Sequence, residues 1–267
     1  ACGGRGMILE TVFAHGSDYI EWYEASGCAG SALRRIAPER LRIALTRAPR
    51  DLQLVHKTTA TALWRKRPPT LSGVLAGVAR EADLQPPAQA AYALEGEISD
   101  PSGAYLPRLF SVDCGAVIGH RIGLYRSPLA ARYGRAGGVF GRIRLAGRAA
   151  AWSLVVVRVT PPLGAALEFT AQADANGEFI LPLDRLPALG VDALVKTYPA
   201  TLRIAASPLA VAEQPFDPGK LVAHQVAVGE DAAHVVQFSD SLSFAVTPGS
   251  VSRVTSPGQA LLLLQPN

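Results

Sequence analysis

The five histidines are the side chains in this sequence best suited to proton transfer or metal binding, and they are scattered: His15, His56, His120, His224 and His234. No HExxH pair occurs, and no cysteine and histidine have zinc-site spacing. His224 and His234 lie near acidic residues, which leaves a metal or general-base role open. A general base is defined by geometry, however, and a surface or sheet-edge position is the more ordinary one for a histidine on a strand.

A second candidate for chemistry is the polar run Asp174-Ala175-Asn176-Gly177, followed by Glu178. Its alternating oxygen-bearing side chains resemble part of a calcium loop. An EF-hand loop needs Gly at its sixth position and Glu at its twelfth, and here Gly177 comes fourth with no later glutamate in frame. Asn-Gly between two alternating segments is instead typical of a β-hairpin, because both residues tolerate positive φ. We therefore predict a structural turn at Asp174, Asn176 and Gly177, with positive φ at Gly177.

Motifs of common enzyme classes are missing from the sequence. There is no GxSxG, Walker or dinucleotide-binding motif, and no paired carboxylates or catalytic triad stand out. The glycines between residues 134 and 141 are followed by no Gly-Lys-Ser/Thr, so a flexible linker is the better interpretation. We expect a protein that is not an enzyme and that holds no cofactor and no metal.

The strongest electrostatic feature is a span without acidic residues, from Asp113 to Glu168. It contains eight arginines: Arg121, Arg126, Arg132, Arg135, Arg142, Arg144, Arg148 and Arg158. Because guanidinium groups form bidentate pairs with carboxylates and phosphates, the span predicts docking to an acidic protein surface or contact with nucleic acid. A solvated face balanced by the acidic C-terminal third is the third interpretation. Few aromatic residues are interleaved, which disfavours base stacking and hence nucleic acid.

The composition restricts the class of protein. The chain has 267 residues, 49% of them apolar and 18% charged, with a formal net charge of +4. This is long enough for one large core or two ordinary ones, and no apolar run reaches the length of a membrane span. Cys2, Cys28 and Cys114 form no CxxC motif, which favours reduced thiols in a protein folded in the cytoplasm, although a Cys28–Cys114 disulfide stays open.

The elements that must position these residues are mostly short strands with Gly and Pro turns, typical of a sandwich or barrel. The predicted fold is all-β, with two β-sandwich-like modules and extended N- and C-terminal arms. Its segments are an N-terminal arm at 1–35, a β-rich domain at 36–132, a β-sandwich at 137–244 and a C-terminal tail at 245–267.

Three local expectations accompany this division. Helical spacing of Leu71, Val74, Leu75 and Val78 predicts one helix. In the most β-prone stretch, Trp152 or the alternate residues Leu154 and Val156 should be buried. The tail ends in Leu261, Leu262, Leu263 and Leu264, which form either an exposed, partner-binding strand or the last strand of the core.

One stretch resembles a known family. Gly141-Arg142-Ile143-Arg144-Leu145, followed by a strand and by residues 171–183 with their Asp-Ala-Asn-Gly-Glu-Phe turn, is similar to the carboxypeptidase regulatory-like, or transthyretin-like, β-sandwich module. The resemblance covers roughly residues 137–210, and the family's usual follow-on survives only as Leu-Pro-Ala-Leu-Gly at 186–190. It implies a fold rather than a function, since this module has no active site of its own.

A second resemblance joins residues 99–108, residues 120–128 and this sandwich. The arrangement is similar to accessory proteins of contractile phage-tail-like injection systems, which act as cap, collar or baseplate components. It implies a multimeric structural protein that assembles in the cytoplasm, leaves the cell within the particle, and contacts sheath, tube or cap subunits. Docking would use the terminal arms and six arginines, Arg121, Arg126, Arg132, Arg135, Arg142 and Arg144, together with Leu261–Leu264. The alternative is a secreted module that binds carbohydrate or peptide through exposed aromatics such as Trp22, Tyr23 or Trp64.

Overall fold

A computed structural model of the chain describes residues 17–32, 34–65, 90–190, 196–230 and 234–265. These residues form 20 strands and two short 3-10 helices, so the predicted all-β, sandwich-like fold is confirmed. The predicted helix at Leu71–Val78 lies outside the described residues, as do Cys2 and His15.

The strands fall into two sets that follow the chain order. The first set is β1 (Tyr19–Glu24), β2 (Gly27–Cys28), β3 (Arg42–Arg47), β4 (Leu52–His56), β5 (Ala60–Arg65), β6 (Tyr92–Ser99), β7 (Arg108–Cys114) and β8 (Gly119–Leu124), with a 3-10 helix at Pro38–Arg40. The second set is β9 (Gly138–Leu145), β10 (Arg148–Ala149), β11 (Leu154–Val159), β12 (Leu167–Gln172), β13 (Glu178–Pro182), β14 (Tyr198–Ala206), β15 (Val222–His224), β16 (Val226–Glu230), β17 (Val236–Ser239), β18 (Leu242–Val246), β19 (Val251–Arg253) and β20 (Leu262–Leu264), with a 3-10 helix at Pro218–Lys220.

The first sandwich packs a four-stranded sheet, β4-β5-β1-β8, against a three-stranded sheet, β3-β6-β7. Its core is formed by side chains from both sheets: Ile20, Trp22, Leu63, Leu94, Ile98, Phe110, Ile122 and Leu124. Strand β1 comes from the segment predicted to be an N-terminal arm. It is an inner strand of this sandwich, because its alternate residues Ile20 and Trp22 point into the core and are fully buried.

The second sandwich has a larger core between a seven-stranded and a six-stranded sheet. The first sheet runs β10-β9-β20-β16-β17, with β13 and β19 also paired to β9; the second runs β15-β14-β11-β12-β2, with β18 also paired to β14. On β9 the residues Val139, Gly141, Ile143 and Leu145 lie on the inward face and are buried. A β-carbon on Gly141 would lie 2.8 Å from the carbonyl oxygen of Val254, so this position requires glycine.

The C-terminal segment belongs to the second sandwich. Strand β18 pairs with β14, and β19 and β20 run parallel to β9. Leu262 and Leu264 are 0% and 3% exposed. Of the two interpretations of the C-terminal leucines, the structure therefore has the one in which they form the last strand of the core.

The Asp174–Gly177 turn has the predicted local geometry. Gly177 has φ 73°, as predicted, and the Asp174 carboxylate accepts hydrogen bonds from the backbone N–H groups of Asn176 (2.8 Å) and Glu178 (2.9 Å). The expected hairpin is wrong, however. Strand β12 pairs with β11 and β2, whereas β13 pairs with β9 in the other sheet. The turn therefore carries the chain from one sheet of the sandwich to the other.

Strand β11 is buried on the face opposite to the one predicted. Trp152 is buried as expected, but Val155, Val157 and Val159 fill the core, while Leu154 and Val156 are only half-buried. The reason is that Trp152 lies before the strand with φ 60°, in the left-handed region. Because of this backbone conformation, the alternation of inward-facing and outward-facing residues in β11 starts at Leu154 and does not continue from Trp152.

Three contacts join the sandwiches. Strand β2, which follows β1, leaves the first sandwich and pairs with the edge of β12 in the second. A small apolar cluster brings Leu106 against Trp152. Arg108 on β7 donates to Asp217 (3.0 Å) and to the carbonyl oxygen of Gly123 (2.7 Å), and both members of the ion pair are largely buried. The sandwiches are thus held together by a strand, an apolar cluster and an ion pair.

Candidate docking surfaces

The acid-free arginine span of the sequence is not acid-free in space. Arg121 lies 3.2 Å from Glu21, because β8 runs parallel to β1 and places these residues side by side. Arg126 makes two hydrogen bonds to Glu24, at 2.6 and 3.0 Å. The expectation of eight unbalanced guanidinium groups is therefore wrong, because β1 supplies carboxylates that are distant in sequence.

The remaining predicted docking arginines are spread over the fold. Arg132 donates to the backbone carbonyls of Leu129 and Ala131 and so closes its own turn. Arg135 lines a groove of about 480 Å³ beside Asp184. Arg142 and Arg144 point outward from β9. The arginines thus occupy the first sandwich, the segment between the sandwiches and the second sandwich.

The C-terminal leucines form no exposed, partner-binding strand. Leu262 and Leu264 are core residues, while Leu261 and Leu263 are half-buried. Only Leu263, on the outward side of β20, is placed beside an arginine of the predicted set, through its register with Arg144. Leu262 and Leu264 therefore contribute to the core, whereas the docking role predicted for Leu261 and Leu263 stays a prediction.

We call the outward side of the sheet around β9 the β9 face, formed by Phe140, Arg142, Arg144, Ile180, Arg253 and Leu263. Strand pairing builds it in rows: Ile180 and Arg253 flank Phe140, and Leu263 lies beside Arg144. Phe140 is 37% exposed, although it lies on a central strand. Aromatic side chains and arginines are the residues enriched in protein–protein interfaces, so this surface has the composition of a docking site.

The β9 face carries net positive charge. Arg142 lies 3.9 Å from Glu178 and donates to the carbonyl oxygen of Asn176, and Arg253 donates to the carbonyl oxygen of Ala260. Arg144 forms no ion pair with any residue that the structure describes. Three guanidinium groups beside one carboxylate leave the face suited to an acidic partner surface.

A second basic surface lies on the first sandwich, and we call it the arginine groove. It has a volume of about 410 Å³ and is lined by four arginines, Arg34, Arg35, Arg40 and Arg126, together with Asp100, Ser102 and Tyr105. Three of these arginines lie outside the acid-free span, so the charge pattern of the sequence did not single them out. The nearest sequence signal was the Arg34-Arg35 dipeptide.

Carboxylates beneath the groove hold its guanidinium groups in place. Glu24 is bound by Arg126, by Arg34 (3.4 Å) and by the hydroxyl of Tyr105 (3.2 Å). The hydrogen bonds from Arg126 to Glu24 and the negative charge of Glu24 raise the pKa of Arg126 above its ordinary value. Glu21 likewise holds Arg35 at 3.0 Å. Each carboxylate is shared by at least two cationic groups, so the network stays positive overall.

Among the described residues, Cys114 and His120 are the two that most resemble a catalytic cysteine–histidine pair. The Cys114 sulfur lies 3.7 Å from Nε2 of His120. The thiol is 3% exposed, and burial together with the nearby Asp18 carboxylate raises its pKa from an ordinary 9.0 to about 11. A nucleophilic cysteine needs the opposite shift, so this thiol stays protonated and unreactive near neutral pH. Cys28 is a free thiol in the other sandwich, and no Cys28–Cys114 disulfide forms.

The other histidines are not brought together. His224 is buried, with Nδ1 3.1 Å from the carbonyl oxygen of Gln265, while His234 is 89% exposed and lies 3.6 Å from Glu230. His56 contacts the hydroxyl of Thr61. Within the described ranges, no group of three or more His, Cys, Asp or Glu side chains is placed to hold a metal ion.

The aromatics considered for carbohydrate binding do not form one exposed group. Trp22 is fully buried, donates its indole N–H to Thr61 (2.9 Å), and meets Phe110 edge-on at 5.9 Å. The ring of Tyr23 covers Gly123, where a β-carbon would lie 3.0 Å from it. Trp64 is 39% exposed. A flat aromatic platform therefore does not arise from these three residues.

Comparisons of the chain with family models, with curated proteins and with solved structures find no match. No helix in the part of the chain that the structure describes is long and apolar enough to cross a membrane.

Proposed function

We propose that the protein is a non-enzymatic structural component that docks to neighbouring protein subunits through the β9 face. The observation that carries this proposal is the combination of Phe140 with Arg142, Arg144 and Arg253 on one outward sheet face. Desolvated aromatic and arginine side chains supply most of the energy of typical protein interfaces. The occupant that the charge favours is an acidic surface of a neighbouring subunit.

The assembly we propose is a contractile phage-tail-like injection particle, in which the protein would be a cap, collar or baseplate accessory. The sequence resemblance motivates this assignment, and an all-β protein made of two joined sandwiches suits a static role in a particle. The β9 face would then contact a sheath, tube or cap subunit.

The test begins with native lysate, fractionated by sedimentation, with electron microscopy of the fraction that carries this chain. The proposal expects the wild-type protein to pellet with sheathed, tubular particles. A wild-type protein found only as a monomer of about 28 kDa, the mass of the single chain, would overturn it.

The face itself is tested by charge reversal. The double variant Arg142→Glu, Arg144→Glu should move from the particle fraction to the soluble fraction. Added salt should have the same effect on the wild-type protein. Arg47→Glu with Arg50→Glu is the matched control, since both residues are exposed on the first sandwich. If the control pair has the same effect as the β9 pair, the docking site is not this face.

A further inference from the structure

Hydrogen bonds hold the segments that form the arginine groove, and none of these segments belongs to the β9 face. The segment that carries Arg34 and Arg35 is fixed to the end of β1, because Glu24 N–H donates to the carbonyl oxygen of Arg34 and Ile36 N–H donates to that of Trp22, both at 2.8 Å. The 3-10 helix Pro38–Arg40 then presents Arg40. These arginines therefore project from a fixed backbone.

The acidic residues at the groove are already occupied. Asp100 accepts hydrogen bonds from the backbone N–H groups of Ser102, Ala104 and Tyr105 and from the Ser102 hydroxyl. Glu24 holds two guanidinium groups and the Tyr105 hydroxyl. Arg40, by contrast, makes no ion pair with any described residue, and the side chains of Arg34 and Arg35 are 70% and 53% exposed. The groove therefore keeps cationic groups directed at solvent, since Arg34 and Arg35 share Glu24 and Glu21 with other arginines, while Arg40 has the exposed Glu39 next to it in the 3-10 helix.

The size of the groove indicates the kind of ligand. Its volume of about 410 Å³ is many times the ~30 Å³ share of one water molecule. The groove is therefore larger than the space that a single small ion fills. The positive groups also come from two segments of the chain, residues 34–40 and Arg126, and the Asp100–Tyr105 loop lines the same groove. A chain with several carboxylates matches this spread of charge better than one anion.

We propose that the arginine groove binds an extended acidic peptide segment of a partner protein, with two or more Asp or Glu carboxylates paired to Arg34, Arg35 and Arg40. Arg126 acts as a positioning residue, since its two hydrogen bonds to Glu24 fix the floor of the groove. This site lies on the first sandwich and does not depend on the β9 face of the second.

The experiment titrates the full chain with a fluorescently labelled octaglutamate peptide and measures anisotropy at low and at physiological salt. An octaglutamine peptide controls for backbone binding, and inorganic phosphate is titrated separately by calorimetry. We expect saturable, salt-sensitive binding of octaglutamate and no binding of octaglutamine. Binding of phosphate without binding of octaglutamate would overturn the proposal in favour of a small-anion site.

Substitutions locate the binding. Arg34→Gln, Arg35→Gln and Arg40→Gln together should weaken octaglutamate binding at least tenfold. Arg47→Gln, Arg50→Gln and Arg158→Gln, a change of equal charge at exposed positions, should alter it less than twofold. Equal losses in the two triple variants would show non-specific charge attraction and overturn the proposal.

Two further variants keep the test decisive. Arg40→Gln alone removes an exposed arginine without disturbing the Glu21 and Glu24 network, and it should weaken binding about threefold even if the triple variant folds poorly. The Arg142→Glu, Arg144→Glu protein should bind octaglutamate like the wild type. That result separates the groove from the β9 face, so that either proposal can fail alone.

Discussion

The inner strands β1 and β9 show two ways of placing arginines on a sandwich. Strand β1 contributes Glu21 and Glu24, which gather arginines from three other segments into a network. Strand β9 carries its own arginines outward, above a core that is apolar on the inner side. Strand β1 therefore holds neighbouring guanidinium groups in ion pairs, whereas Arg144 on β9 has no ion-pair partner among the described residues. Charge along the sequence therefore does not reveal which arginines are available to a partner.

The interiors of the two sandwiches differ in the buried polar groups that they contain. Asp18, fully buried just before β1, accepts hydrogen bonds from the backbone N–H groups of Gly115 (2.6 Å) and Ile118 (2.9 Å), and so fixes the β7–β8 connection. The second sandwich has the larger apolar cluster, which includes Phe169 and Phe179, and it also buries the polar side chains of Ser153, Gln172, His224 and Ser256. Both sandwiches thus bury polar groups that form hydrogen bonds, but among the described residues only the first buries a carboxylate, that of Asp18.

The largest expected effect tests the apolar packing. Phe179→Ala removes a side chain that is 1% exposed, and it should lower the free energy of unfolding by about 3–5 kcal/mol, measured by denaturant titration. Ile180→Ala, on the outward side of the same strand, is the control and should cost about 1 kcal/mol or less. Similar losses for both variants would mean that the second core does not depend on this phase of β13.

The next effect tests the buried carboxylate. Asp18→Ala removes a fully buried carboxylate that accepts hydrogen bonds from two backbone N–H groups, and it should cost about 2–4 kcal/mol. Hydrogen exchange should accelerate in β7 and β8 and stay unchanged in β11 and β14. Asp113→Ala, at an exposed position on β7, should have little effect. Acceleration spread evenly over both sandwiches would show that Asp18 does not stabilise the first sandwich in particular.

A smaller effect is expected at the turn between the sheets of the second sandwich. Gly177→Val must adopt φ 73° and place a β-carbon 2.5 Å from the carbonyl oxygen of Ile143, so we expect a loss of about 2 kcal/mol in thermal or chemical unfolding. Gly190→Val, with open space around it, should be close to neutral. Unchanged unfolding of the Gly177 variant would show that this turn rearranges freely.

The smallest effect is a pH dependence of the first sandwich. Burial raises the pKa of Cys114 to about 11 and raises that of Tyr92 as well. Because both acids ionise more readily in the unfolded chain, their contribution to stability is intact below about pH 9 and is lost as the pH rises towards 11. Urea titrations at pH 8 and pH 10 should show a loss that Cys114→Ala reduces. A loss of equal size in that variant would assign the titration to other groups.

The sequence was most informative where burial alone decides the structure. The strict alternation of β9 and the Asn-Gly turn could be predicted because side-chain period and positive φ are local properties. The pairing of that turn's strands could not, since a tight turn links strands equally well within a sheet or between sheets. The phase of β11 was missed because it depends on one backbone angle at Trp152.

The candidate sites were the least predictable part. Arg142 and Arg144 are presented outward as their strand pattern indicates, but the neighbours that make them a face, Phe140 apart, come from β13, β19 and β20. The arginine groove depends on contacts between residues up to 102 positions apart, such as Arg126 with Glu24. Such contacts produce no recognisable spacing in the sequence. The sequence therefore predicts unpaired positive charge for the acid-free span, whereas the fold pairs some of its arginines with carboxylates.

Strand β2 also has a consequence for biosynthesis. It leaves the ribosome before the strand with which it must pair, β12, which is made about 140 residues later. At roughly 5–20 residues per second, this two-residue strand waits on the order of 10 s or more for its partner. Until β12 is made, β2 has no partner, and the six-stranded sheet of the second sandwich cannot be completed. A ribosome that stalls before residue 167 would therefore hold a chain in which β2 is unpaired.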